Sequence, residues 1–178
     1  MLALQNGRLR DMNNALVLRH AAPSAGSWLP QLSINTIDGA PLQIGQPAKR
    51  TQLLYFFNPD CPACEASLPS LVSLQHAVGE SRSRSVDLIG VSHPTLDRTR
   101  RYAADHGLSF PITIPDPRSK NLLGVRVTPV LLVVGAGGRV ELTHVGVLDD
   151  HALKKILAAI PPDGRVDDAT IAQKENFR

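Results

Sequence analysis

The stretch Thr51-Gln52-Leu53-Leu54-Tyr55-Phe56-Phe57 is a continuous apolar run of strand length. Such a run suits a strand covered on both faces, as in the middle of an α/β sheet, rather than a half-exposed strand of alternating polarity. Val86-Asp87-Leu88-Ile89-Gly90-Val91-Ser92 predicts a second buried strand. Between the two, the period changes. Cys64, Leu68, Leu71, Gln75 and Val78 recur at helical spacing with one polar interruption, predicting a helix over roughly 62–78 with Gly79 near its end. Pro62 fits the first helical position, where its missing N–H is of no consequence. Pro69 falls inside the pattern, so a kink is expected there.

The remaining elements are marked by their turns. Leu32 to Asn35 and a partner near Gln43 flank Asp38-Gly39 and read as a short hairpin. Thr95 to His106 reads as a polar helix ended by Gly107, and Arg118 to Leu123 as a short helix ended by Gly124. Pro111 to Pro117 reads as irregular. Val130 to Val134 and Arg139 to Val145 form a hairpin around Gly135-Ala136-Gly137-Gly138, and a last helix runs from the N-cap Asp149 to Ile160. That glycine turn leads into a strand and lacks a following Lys-Ser/Thr, so it reads as a turn and not a phosphate loop. The order βαβα then ββα predicts an α/β sandwich with a mixed central sheet and helices on both faces. Residues 1–27 read as an extension or linker, 28–162 as the domain and 163–178 as a polar tail.

The chain has 178 residues with net charge +3 and 4% aromatic residues, which argues against a nucleic-acid surface. Arg82, Arg84, Arg98, Arg100 and Arg101 read as solvated faces. No apolar run reaches the roughly 18 residues of a membrane span. Near the start, Ala15-Leu16-Val17-Leu18 is too short for a secretory signal. The expected compartment is therefore cytoplasmic, or periplasmic and membrane-associated if an anchor precedes this sequence.

Two cysteines, Cys61 and Cys64, stand in one C-x-x-C. That count excludes a disulfide-stapled scaffold and four-cysteine zinc, leaving a redox pair or half of a Cys/His metal site. His20, His76, His93, His106, His144 and His151 are scattered without paired spacing, so no metal is expected. Asn58-Pro59-Asp60 breaks the first strand, which places Cys61 where strand gives way to helix. N–H groups there favour a thiolate. Cys64 lies one turn on, within disulfide reach. Cys61 is thus the expected attacking thiol and Cys64 the buried resolving thiol.

Phe56-Phe57-Asn58-Pro59-Asp60-Cys61-Pro62-Ala63-Cys64, with the later Pro69, resembles the active-site segment of thioredoxin-like proteins of the TlpA/ResA and redoxin group. Val127-Thr128-Pro129-Val130 resembles the cis-proline loop of that superfamily, followed by the Gly-rich hairpin. The likeness covers about residues 28–160. It implies thiol–disulfide exchange with protein thiols or disulfides and an upstream electron donor, with no cofactor beyond the Cys61–Cys64 disulfide. It also implies a substrate chain docked by Pro62, Ala63, Thr128 and Pro129, and we expect a monomer. Departures are evident. TlpA/ResA-type sequences carry a basic residue after the second cysteine and a Glu two further on, where this chain has Glu65 and Ser67. Their tryptophan before the first cysteine is Asp60, and the buried acid of thioredoxins is matched by Tyr55. Asp60 and Glu65 are expected to oppose the thiolate. The Cys-Pro-x-Cys also resembles MauD-type proteins, which assist methylamine dehydrogenase assembly. Two alternatives stay open. One is a peroxiredoxin-like thiol peroxidase, with Arg126 beside the thiolate but Asn58 where those enzymes carry Thr. The other is a copper or cofactor-assembly chaperone using His144.

Overall fold

The computed structural model describes residues 21–47, 51–80, 86–93 and 95–160. Most of the N-terminal extension, and the polar tail, lie outside the described residues. The elements are β1 (Leu32–Asn35), β2 (Pro41–Ile44), β3 (Thr51–Phe57), α1 (Pro62–Ala66), α2 (Leu68–Glu80), β4 (Val86–Ser92) and α3 (Leu96–Asp105). There follow β5 (Ile112–Thr113), α4 (Pro117–Leu123), β6 (Val130–Val134), β7 (Val140–Val145) and α5 (Asp150–Ala159).

Five strands form one sheet in the order β5-β4-β3-β6-β7, and β1-β2 form a separate antiparallel hairpin. Every residue of β3 is buried, because this strand has a neighbour on each edge and a layer on each face. It runs parallel to β4 and antiparallel to β6. Alternate residues divide the core. Leu53, Tyr55 and Phe57 pack with Leu71 and Leu74 of α2, Tyr102 of α3 and Ile156 of α5. Leu54 and Phe56 face the other way, toward Ile44 of the hairpin and Leu123 of α4. The expected mixed sheet with helices on both faces is what the chain builds.

The Pro111–Pro117 stretch departs from expectation. Ile112 and Thr113 form an edge strand parallel to β4 and fully buried, pairing through Gly90 and Val91. Its outer side is closed by the hairpin: Ile37 N–H donates to the Ile112 carbonyl at 2.7 Å, and the Thr113 hydroxyl donates to Asn35 O at 2.8 Å. An otherwise open edge is thereby covered. The helix starts are side-chain capped where the sequence supplies an aspartate. Asp116 accepts from Arg118 and Ser119 N–H, and Asp149 from Ala152 N–H. Gly124, at φ 67°, ends α4 in the left-handed conformation.

Candidate active site

At the carboxyl end of β3 the chain turns through Asn58, whose Oδ1 accepts the Asp60 N–H at 3.0 Å while its carbonyl accepts the Cys61 N–H at 3.0 Å. Cys61 is the N-cap of α1 in extended conformation, and Pro62 opens the helix. Cys64 falls one turn later and is only 1% exposed, whereas Cys61 is partly exposed. The helix does not run on to a kink at Pro69. It stops at Ala66, and α2 begins at Leu68. Pro69 has no N–H to give to the preceding turn. Ser67 occupies the break, buried, its hydroxyl donating to Ala63 O at 2.7 Å and accepting Leu148 N–H at 2.9 Å.

The second half of the site comes from β6. Its register sets Val130 opposite Phe56, so the preceding Thr128-Pro129 lands beside the cysteine turn. The Thr128–Pro129 peptide bond is cis. The Cys61 thiol donates to the Thr128 carbonyl across 3.5 Å, and Gly146 N–H donates to Pro129 O at 3.0 Å. Cys61, Cys64, Thr128 and Pro129 thus converge, with Pro62 exposed and Ala63 half-buried beside them.

The two thiols are electrostatically unlike. Burial works against a thiolate at Cys61, but the Cys64 thiol, the Cys64 and Ala63 backbone N–H groups and the Thr128 side chain all favour it. The balance sets Cys61 below the ordinary thiol value. The neutral thiol makes no cap hydrogen bond, its proton being turned to Thr128. Because α1 has only five residues, these nearby N–H groups carry the effect, not a long helix dipole. Cys64 is pushed up to about 12, first by burial and then by Cys61 beside it.

The acidic flanks do not stand uncompensated. Arg98 of α3 pairs with Asp60, and His106 Nε2 lies 3.7 Å from Glu65, an ion pair when the imidazole is protonated. Arg98 lies on α3 and His106 caps its C-terminal end, and the sequence alone, in which Arg98 reads as part of a solvated face, announces neither contact. An aromatic series ties that helix to the sheet: Tyr55 on Phe57 at 5.8 Å, Phe57 on Tyr102 at 5.6 Å and Tyr102 on His106 at 4.5 Å between ring centroids.

Two buried polar atoms lack partners among the described residues, the Tyr55 hydroxyl and His93 Nδ1. Burial, then the charge of Lys120, holds His93 below its ordinary value. His144, the ligand candidate of the chaperone reading, has its Nε2 2.9 Å from Val147 O. Among the described residues, no His, Cys, Asp and Glu side chains cluster in a way that could hold a metal ion, and no helix is long and apolar enough to cross a membrane.

Residues 25–142 match the model of the AhpC/TSA family. The thiol-disulfide oxidoreductase ResA of Halalkalibacterium halodurans is 24% identical over 143 residues, covering 78% of each chain. The methylamine utilization protein MauD of Methylophilus methylotrophus is 33% identical over 96 residues. Those cover 53% of this chain but only 42% of that one. Among solved structures, a thioredoxin-family thiol:disulfide interchange protein from Chlorobium tepidum superposes with a TM-score of 0.65 at 21% identity. The match spans 78% of this chain and 99% of that one.

Proposed function

This chain belongs to the AhpC/TSA family, and from that premise we propose that it is a thiol–disulfide oxidoreductase acting on protein partners through Cys61 and Cys64. The observation that carries the reading is the asymmetry of the pair: one partly exposed thiol held below its ordinary value, and one turn away a buried thiol pushed up to about 12. The Cys61 thiolate attacks a partner disulfide, forming a mixed disulfide and releasing the first partner sulfur. The Cys64 sulfur then attacks Cys61, closing the intramolecular disulfide and releasing the second. Two electrons pass to the partner, and a thiol donor returns them by the reverse exchange. Thr128 and Pro129, with Pro62 and Ala63, form the surface against which the partner chain lies. The ResA relative, matched over most of its length, carries this activity in its name. Of the acids that set this chain apart, Asp60 pairs with Arg98, which lessens its opposition to the thiolate, and Glu65 has His106 Nε2 3.7 Å away.

Cys64→Ser should accumulate a mixed disulfide between Cys61 and a partner protein, visible as a reducible band shift, and Cys61→Ser should abolish both the adduct and insulin reduction. Insulin reduction that survives in Cys61→Ser would overturn the reading. So would hydrogen-peroxide turnover by wild type that outpaces its disulfide exchange, which would move the chain to the peroxidase branch.

A further inference from the structure

Two segments overrun the sheet beside the cysteine turn. The pairing of β6 begins at Val130, so Thr128-Pro129 lies ahead of its first rung, and that of β7 ends at Val145, so Gly146-Val147-Leu148 lies past its last. Single hydrogen bonds hold them there. Gly146 N–H donates to Pro129 O at 3.0 Å, the Cys61 thiol donates to Thr128 O across 3.5 Å, and His144 Nε2 lies 2.9 Å from Val147 O. A further attachment is Ser67, whose hydroxyl accepts Leu148 N–H at 2.9 Å. Ser67 itself belongs to the cysteine turn. Its N–H donates to Cys64 O at 3.1 Å, and its hydroxyl donates to Ala63 O at 2.7 Å. The bonds make a closed circuit, from Cys61 through Thr128-Pro129, Gly146 and Leu148 to Ser67. It returns through Cys64, whose N–H donates to Cys61 O at 3.0 Å.

We propose that Ser67 is a positioning residue for the attacking thiol: by bonding Leu148 it fixes the Thr128-Pro129 segment in its place against the Cys61 turn. The proposal rests on the dithiol reading above. Leu148 is buried, its side chain in the core, and its bond to Ser67 is buried with it. An N–H in that position cannot turn to water, and leaving it unmet is costly enough to move backbone that is free to move. The backbone just ahead of it has that freedom, since Gly146 sits at φ 106° with nothing within 4 Å of the place a Cβ would occupy. Without the Ser67 hydroxyl, residues 146–148 turn toward another acceptor, and Gly146 draws Pro129 O with it. Thr128 then withdraws from Cys61, removing one of the groups that hold this thiol below its ordinary value. Ser67 touches no partner in this scheme; it acts through Leu148 and Gly146 on Thr128.

The test follows alkylation of Cys61 by iodoacetamide against pH in the full reduced chain, where Cys64, buried and pushed up to about 12, does not compete. Ser67→Ala should raise the pH midpoint of alkylation and slow the reaction at neutral pH by about fivefold, the rate equivalent of one net hydrogen bond. Ser67→Thr keeps the hydroxyl but crowds a fully buried site, so it should lower the thermal midpoint and leave the alkylation midpoint near wild type. A role in stability alone would move the two in step. Replacing the Leu148 amide by an ester removes the same bond from its other side and should also raise the alkylation midpoint, whether or not Ser67→Ala folds. His144→Ala, which removes only the contact to the Val147 carbonyl that the ester weakens as well, should raise it less. An alkylation midpoint unmoved in Ser67→Ala or in the ester chain, or raised as far by Ser67→Thr as by Ser67→Ala, would overturn the proposal. Wild type that fails to reduce insulin would instead defeat the dithiol reading, and the alkylation midpoints would still decide the role of Ser67.

Discussion

Ser67 joins three segments through one oxygen. It closes α1 by bonding to Ala63, occupies the gap before α2, and receives the N–H of Leu148 just ahead of α5. Ser67→Ala leaves that buried N–H unpaired and should lower stability by about 1–3 kcal/mol. A urea midpoint equal to wild type would show that the Leu148 N–H finds another acceptor. Nothing near Ser67 in sequence announces this role, since Leu148 lies 81 residues on. The Arg98–Asp60 pair, 38 residues apart, is equally hidden. The cysteine turn was legible because its logic is local: a strand-breaking Asn-Pro-Asp, a cap position, then Pro. Tyr55 could be read as one more apolar position in β3, and that its buried hydroxyl finds no partner among the described residues emerges only once α2, α3 and α5 pack over it.

At the scale of elements, β3, β4 and the capped helices were readable from apolar runs and end signals. The two-residue β5 was not. Pro111, Pro115 and Pro117 crowd around it, and two paired residues make no periodic pattern. Its close packing leaves a mark on β4 nonetheless. A Cβ on Gly90 would lie 2.9 Å from Phe110, 3.0 Å from Ile112 and 3.2 Å from Phe57. Gly90→Ala should therefore overpack the β4–β5 seam and lower stability by about 1–3 kcal/mol, read as a fall in the thermal midpoint. A midpoint at or above wild type would mean that the Phe110 edge yields freely.

For the molecule as a whole, the shifted protons set how stability varies with pH. Cys64 is raised to about 12, and Tyr55 and Tyr102 are raised as well, each by burial first. The folded chain keeps protons that the unfolded chain gives up, so these groups stabilise the fold at low pH and that stability is lost as pH climbs. For Cys64 the loss begins near the ordinary thiol value, about 8.5, and the tyrosines join from about 10. Cys61, shifted down, has the opposite sign: its contribution is complete above the ordinary thiol value and fades as pH falls toward its lowered one. The urea midpoint of the reduced protein should thus pass through a maximum near pH ~8.5 and decline above it. Cys64→Ala should delay the decline to about pH 10. A decline that begins at the same pH in both chains would refute the assignment to Cys64.

The antiparallel pairing of β6 with β3 also orders events during synthesis. Cys61 leaves the ribosome 67 residues ahead of Thr128. In that interval the nascent chain can form the cysteine turn, but the Thr128 side chain that favours its thiolate is not yet available. Only when β6 docks does the Thr128-Pro129 segment arrive beside Cys61, where we propose that a partner chain lies. On that proposal, completion of the sheet is the arming step, and a half-made chain carries a reagent that is not yet assembled.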